Sequence, residues 1–102
     1  MMRNVIRYRT KPGRADENQA LVDAVFTELN AAAPDGVRYL ALRLADDTFI
    51  HLVTVEREDG ANPIPGLAAF RAFQAGIKDR CIEPPQSSEA TIIGNYRALE
   101  MD

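Results

Sequence analysis

The sequence predicts an α+β domain, in which a four-stranded antiparallel sheet carries two helices on one face. Three observations lead there. Val37 to Glu56 (VRYLALRLADDTFIHLVTVE) has the pattern of a β-hairpin, with two runs rich in Thr, Val, Ile, Tyr and Phe around Asp46-Asp47. Arg14 to about Ala33 repeats apolar residues at steps of three and four, the period of an amphipathic helix. Pro- and Gly-containing breaks separate these from further strand-like and helix-like runs.

Taken in order, Asn4 to Thr10 (NVIRYRT) is the first strand, with Val5, Arg7 and Arg9 on one face and Ile6 and Tyr8 on the other. Lys11-Pro12-Gly13 ends it, since Pro lacks a ladder donor. In the first helix Asp16 and Glu17 suit the positive end of the helix dipole. Its expected core stripe is Leu21, Ala24, Val25, Leu29 and Ala32, widened by Val22 and Phe26. Pro34-Asp35-Gly36 stops it. After the hairpin, residues 57–66 (REDGANPIPG) form a loop. Leu67 to Cys81 (LAAFRAFQAGIKDRC) is expected as one second helix, with Phe70, Phe73, Ile77 and Cys81 as its stripe and Gly76 tolerated inside. Glu83 to Ser88 is expected as a stiff exit loop and Ala90 to Ala98 (ATIIGNYRA) as the last strand. With right-handed crossovers, this order gives the ferredoxin-like βαββαβ arrangement.

A two-residue turn at Asp46-Asp47 would pair Leu44 with Phe49, Leu42 with His51 and Leu40 with Val53. Leu40, Leu42, Leu44, Phe49, His51, Val53 and Val55 would then share the face toward the helices. Val37, Tyr39, Ala41, Arg43, Ile50, Leu52, Thr54 and Glu56 would share the other. That second face is too apolar for water, so a second copy of the chain is expected to cover it. An odd-length turn would exchange the hairpin's partners.

Composition narrows the function classes. The 102 residues make one domain, 46% hydrophobic and 26% charged. Net charge is −3 and the arginines are scattered, so neither nucleic acid nor a membrane surface is expected as partner. One cysteine, Cys81, excludes an intrachain disulfide and points to a reducing compartment. The start, MMRNVIRYRT, lacks an apolar core of signal-peptide length. No apolar run approaches the roughly 20 residues that span a bilayer. A cytoplasmic protein is expected. No P-loop, GxGxxG, HExxH or GxSxG pattern occurs.

His51, the only histidine, is the sharpest candidate for chemistry, because a histidine near neutral pKa takes a proton from a phenol or hydroquinone. A hydrogen-bonded core histidine is the plainer alternative. Tyr8, Tyr39 and Tyr96 are candidates to orient a substrate oxygen, Tyr8 and Tyr96 ahead because their strands are expected to be neighbours. Arg7, Arg9, Arg43 and Arg97 fit an interface better than a site. Cys81 has no partner at a predictable distance, and Asp46-Asp47 fit turn formers better than metal ligands.

Four segments together resemble the antibiotic-biosynthesis-monooxygenase-like family of the dimeric α+β barrel superfamily. They are VIRYRTKPGRADENQALVDAVF, the VRYLALRL…FIHLVTVE hairpin, NPIPGLAAFRAFQAGIKDRC and the terminal GNYRAL, nearly the whole chain. The resemblance implies that two subunits set their sheets face to face, with helices outside. It implies cofactor-free oxygenation of quinols or anthrone-like polyketides, or in one branch haem degradation, at a site between sheet and helices. Such sites use a first-strand Asn and a Trp, with a second-helix His for haem. Here there is no Trp, the second helix has no His, and Asn4 opens the first strand. The expected function is a cofactor-independent monooxygenase of an aromatic or quinol-type molecule, without metal or cofactor. His51 would be its base, and Tyr8, Tyr96, Phe70, Phe73 and Asn4 would hold the substrate. A non-catalytic dimer binding a small apolar or aromatic ligand and an isomerase-type proton-transfer enzyme are the alternatives.

Overall fold

The computed structural model describes residues 1–99. Four strands form one antiparallel sheet in the order β2-β3-β1-β4, with β1 Met2–Thr10, β2 Val37–Arg43, β3 Thr48–Val55 and β4 Cys81–Glu89. The long helix α1 is Ala15–Ala32, and two shorter helical pieces follow the hairpin, α2 Ala68–Gln74 and α3 Ile77–Arg80. The chain therefore has the βαββαβ order of a ferredoxin-like fold, its second helix divided in two. Tyr8, Phe49 and Cys81 from the sheet meet Val22, Val25 and Phe73 from the helices in the main core. A second cluster joins Val53 and Val55 to Ile64.

The hairpin departs from its expected register by one residue. Tyr39 pairs with Val53, Ala41 with His51 and Arg43 with Phe49. The loop is three residues long, Ala45 to Asp47, closed by the Leu44 N–H donating to the Thr48 carbonyl at 2.8 Å. Asp47 takes φ 66°, the left-handed conformation that Asp adopts more readily than most residues. Because side chains alternate, this slip turns all of β2 over. His51, Phe49, Val53 and Val55 keep the helix-facing side, but Tyr39 and Ala41 join them. Leu40, Leu42 and Leu44 go to the open face with Val5, Ile50 and Leu52.

Three further expectations are corrected. On α1, Ala24 and Ala32 are exposed, whereas Ala15 and Asn18 are buried with Val22 and Val25. The core stripe is rotated, and it carries an amide. The second helix breaks at Ala75-Gly76, where Gly76 takes φ 76°. Arg80 offsets the break by donating from its guanidinium to the Phe73 and Ala75 carbonyls. The last strand is CIEPPQSSE, not ATIIGNYRA. Its two prolines are tolerable because β4 is an edge strand. They fall at a register irregularity: Arg9 pairs with Glu83 and Arg7 with Gln86, so three residue steps on β4 face two on β1. Residues 91–99 form no strand and are exposed.

Gly36 shows how tightly the hairpin is closed at its other end. It has φ 75°, and a Cβ there would lie 2.8 Å from the Glu56 carbonyl oxygen. Gly36→Ala is expected to lower stability by about 2 kcal/mol, read as a shifted urea midpoint with unchanged slope.

Candidate functional site

Five polar side chains lie end to end inside the core. Tyr8 points from β1 toward the helices, His51 from the adjacent β3 and Tyr39 from β2 beyond it. Asn18 enters from α1 and Arg80 from the end of α3. The Arg80 Nε donates to Asn18 Oδ1 at 3.2 Å, and Asn18 Nδ2 donates to the Tyr8 hydroxyl at 2.8 Å. Tyr8 Oη lies 2.8 Å from His51 Nε2, and Tyr39 Oη lies 2.6 Å from His51 Nδ1. Both ring nitrogens of the only histidine are therefore held by tyrosine hydroxyls.

The aromatic rings around this chain are packed closely. Tyr8 stacks on Phe49 at a centroid distance of 5.4 Å, and His51 stacks on Phe73 at 5.6 Å. Burial takes water from each ionised form. It lowers the His51 pKa to about 4, so the imidazole is neutral at pH 7. It raises the Tyr39 phenol to about 12 and pushes the Tyr8 phenol up as well.

A cavity of about 180 Å³ opens against His51 between the sheet and α2. Tyr8, Tyr39 and His51 form its polar end, Phe70, Phe73 and Ile64 its apolar wall, and Asn4, Asn62, Gln74 and Ser87 add polar groups. A wider groove of about 390 Å³ runs between α1 and β2 and includes Tyr39, but not His51. The smaller cavity joins an apolar wall to a few convergent polar groups, the usual form of a ligand site.

Of the residues singled out from the sequence, His51, Tyr8, Phe70, Phe73 and Asn4 line this cavity. Tyr96 does not: it is 85% exposed beyond the sheet, beside the Arg97 guanidinium. Its expected position rested on a last strand placed too late in the chain. Tyr39 was expected on the opposite face and reaches the cavity through the slipped register. Asn18 is not among the residues the sequence singles out, and Arg80, which with Asp79 reads from the sequence as ordinary surface charge near the helix end, is instead 2% exposed and hydrogen-bonded inside the core. The available signal was the spacing of Asn18 with Val22 and Val25, which sets an amide on the buried stripe. Among the described residues, no group of three His, Cys, Asp or Glu side chains could hold a metal ion.

One consequence of the lowered His51 pKa is a pH-dependent stability. Unfolding raises that pKa from about 4 toward its ordinary 6.5, so the unfolded chain binds more protons between those values. Stability is expected to fall as pH drops from 6.5 toward 4, by on the order of 3 kcal/mol in all. Urea titrations at pH 7.0, 6.0 and 5.0 check this. His51→Gln, which keeps one donor and one acceptor, is expected to flatten the slope between pH 5 and 6.5.

No protein-family model matches the sequence, and no curated protein matches it. Solved structures do match. A "Putative antibiotic biosynthesis monooxygenase from Bacteriodes thetaiotaomicron" superposes with TM-score 0.75 at 18% identity, covering 99% of this chain and 95% of that one. One so described from Nitrosomonas europaea gives 0.74 at 13% identity, covering 92% and 100%. The Rv0793 protein of Mycobacterium tuberculosis gives 0.72 at 17% identity, covering 92% and 96%. Sheet order, helix placement and these superpositions agree that the chain has the fold of the antibiotic-biosynthesis-monooxygenase-like proteins.

Proposed function

We propose that the chain is a cofactor-independent monooxygenase of a single-ring phenol or quinol, working as a homodimer. The observation that carries this is an aromatic-walled cavity ending on a histidine held between two tyrosine hydroxyls. Its size selects among the aromatic substrates. About 180 Å³ is close to the ~150 Å³ cavity that holds benzene and below the ~300–1,000 Å³ of pockets for larger ligands. That volume suits a single ring better than a three-ring anthrone. The ring would lie along Phe70 and Phe73 with one oxygen at the tyrosine–histidine end and its far edge near Asn4 or Ser87.

The chemistry needs an electron-rich ring oxygen in contact with O₂. Conversion of hydroquinone and O₂ into hydroxyquinone and water balances without a cofactor: one oxygen atom enters the ring, the other leaves as water, and the substrate supplies the electrons. The tyrosine–histidine group would hold the reacting oxygen where charge develops, the kind of contact whose loss costs about 100-fold or more in rate. A haem does not suit these residues. Neither nitrogen of His51 is free, and α2 has no histidine.

The occupied nitrogens favour one second reading, a non-catalytic dimer that binds the same class of molecule. Oxygen uptake separates the two. A panel of single-ring hydroquinones is expected to give uptake with the wild type and about 100-fold less with His51→Ala. Binding without uptake for every member would leave the non-catalytic dimer.

The dimer reading rests on the open face. Leu42 and Leu44 are 46% and 40% exposed there, beside half-buried Val5, Leu40, Ile50 and Leu52. Such a contiguous apolar patch is unusual on a monomer, and Arg7 and Arg38 on its border suit an interface rim. A second copy would cover it sheet to sheet. Sedimentation at micromolar concentration is expected to show a dimer for the wild type and a monomer for Leu42→Glu. Among the described residues no helix is long and apolar enough to cross a membrane, and a lone buried thiol suits a reducing cytoplasm.

A further inference from the structure

We infer that Tyr39 is the group that touches the ligand, as a hydrogen-bond donor, and that Arg80 fixes this direction through Asn18, Tyr8 and His51. The cavity then selects an acceptor oxygen, a phenolate or quinone carbonyl. This rests on the reading that the cavity binds an oxygenated aromatic ring, and it changes the role of His51 from base to fixed intermediary.

The direction follows from the donor inventory. A guanidinium only donates, so Asn18 must turn Oδ1 to Arg80 and Nδ2 to Tyr8. The amide nitrogen also only donates, so the Tyr8 oxygen accepts from it. Tyr8 is 1% exposed, and among the described residues the acceptor left for its own proton is His51 Nε2 at 2.8 Å. A neutral imidazole with Nε2 accepting carries its proton on Nδ1 and donates it to Tyr39 Oη. The Tyr39 proton has no acceptor in the chain of bonds, and its side chain lines the cavity. The reverse direction would strand the buried Tyr8 proton, which holds that arrangement to roughly a tenth of the molecules or fewer. A ligand proton passed to His51 through Tyr39 would require that disfavoured direction. Arg80 and Asn18 are thus positioning residues.

Two measurements test this without oxygen chemistry. The single histidine makes ¹⁵N NMR of labelled protein unambiguous. At pH 7 the wild type is expected to show a protonated Nδ1 and a bare Nε2. Asn18→Asp replaces the donor to Tyr8 with an acceptor while keeping a partner for Arg80, and is expected to move the proton to Nε2. A wild-type proton on Nε2, or an unmoved proton in the variant, overturns the inference.

The second measurement uses 4-nitrophenol, whose absorbance separates phenol from phenolate. The ratio of phenolate to phenol affinity is expected to fall about tenfold in Tyr39→Phe. An unchanged or larger ratio, or no binding of 4-nitrophenol by the wild type, overturns the inference. A protein that binds the phenolate in this way yet consumes no oxygen keeps the inference and loses the monooxygenase.

Discussion

The structure depends on one buried chain of hydrogen bonds, from Arg80 through Asn18, Tyr8 and His51 to Tyr39. It ties together α3, α1, β1, β3 and β2. Each of its members is polar, and all but Tyr39 are buried. Left unpaired, each would cost about 1–3 kcal/mol. Joined end to end, they are satisfied: among the described residues, Thr48 Oγ1 is the buried side-chain polar atom without a partner. Such a network is sensitive to position, because moving α1, β1 or β3 by an ångström disturbs two of its bonds at once.

The broken second helix follows from that requirement. An unbroken run from Leu67 to Cys81 would leave no free carbonyls at residues 73 and 75. With the break at Gly76, those carbonyls need donors, and Arg80 supplies them while its Nε reaches Asn18. The guanidinium also lies 5.5 Å from the Phe73 ring centroid, over the wall of the cavity. One cation thus completes a helix end and holds the start of the polar chain. This also explains how a charged side chain comes to be almost fully buried, which is rare without such pairing.

The hairpin turn has consequences at a distance for a similar reason. One extra loop residue sends Tyr39 inward to His51 and Leu40, Leu42 and Leu44 outward. A Tyr39 on the outer face would leave His51 Nδ1 without this partner and the open face less apolar. The left-handed Asp47 therefore connects the polarity of the site to the surface proposed for the second subunit. Phe26 packs edge-on against Tyr39 at 4.8 Å, which helps hold the inward position.

Much of the architecture was legible in the sequence, because period and punctuation are local. The strand character of β1 and of the hairpin, the long helix and the βαββαβ order all come from spacing among neighbours. So does the helix-facing side of Phe49, His51 and Val53. The misplaced last strand shows the limit of local signals. Two prolines argue against CIEPPQSSE as a strand, and only its edge position and the register irregularity opposite make it one. The candidate site was legible in part. His51, Tyr8, Phe70 and Phe73 follow from face assignment and Asn4 from the family resemblance, whereas Tyr96 followed a strand that does not form. The loop length at Asp47 carries no glycine to mark it, so the side taken by Tyr39 was decided by packing. Asn18 and Arg80 are 62 positions apart in sequence, and nothing local relates them. Their bond, and with it the direction of the whole polar chain, exists only once the helices are seated on the sheet.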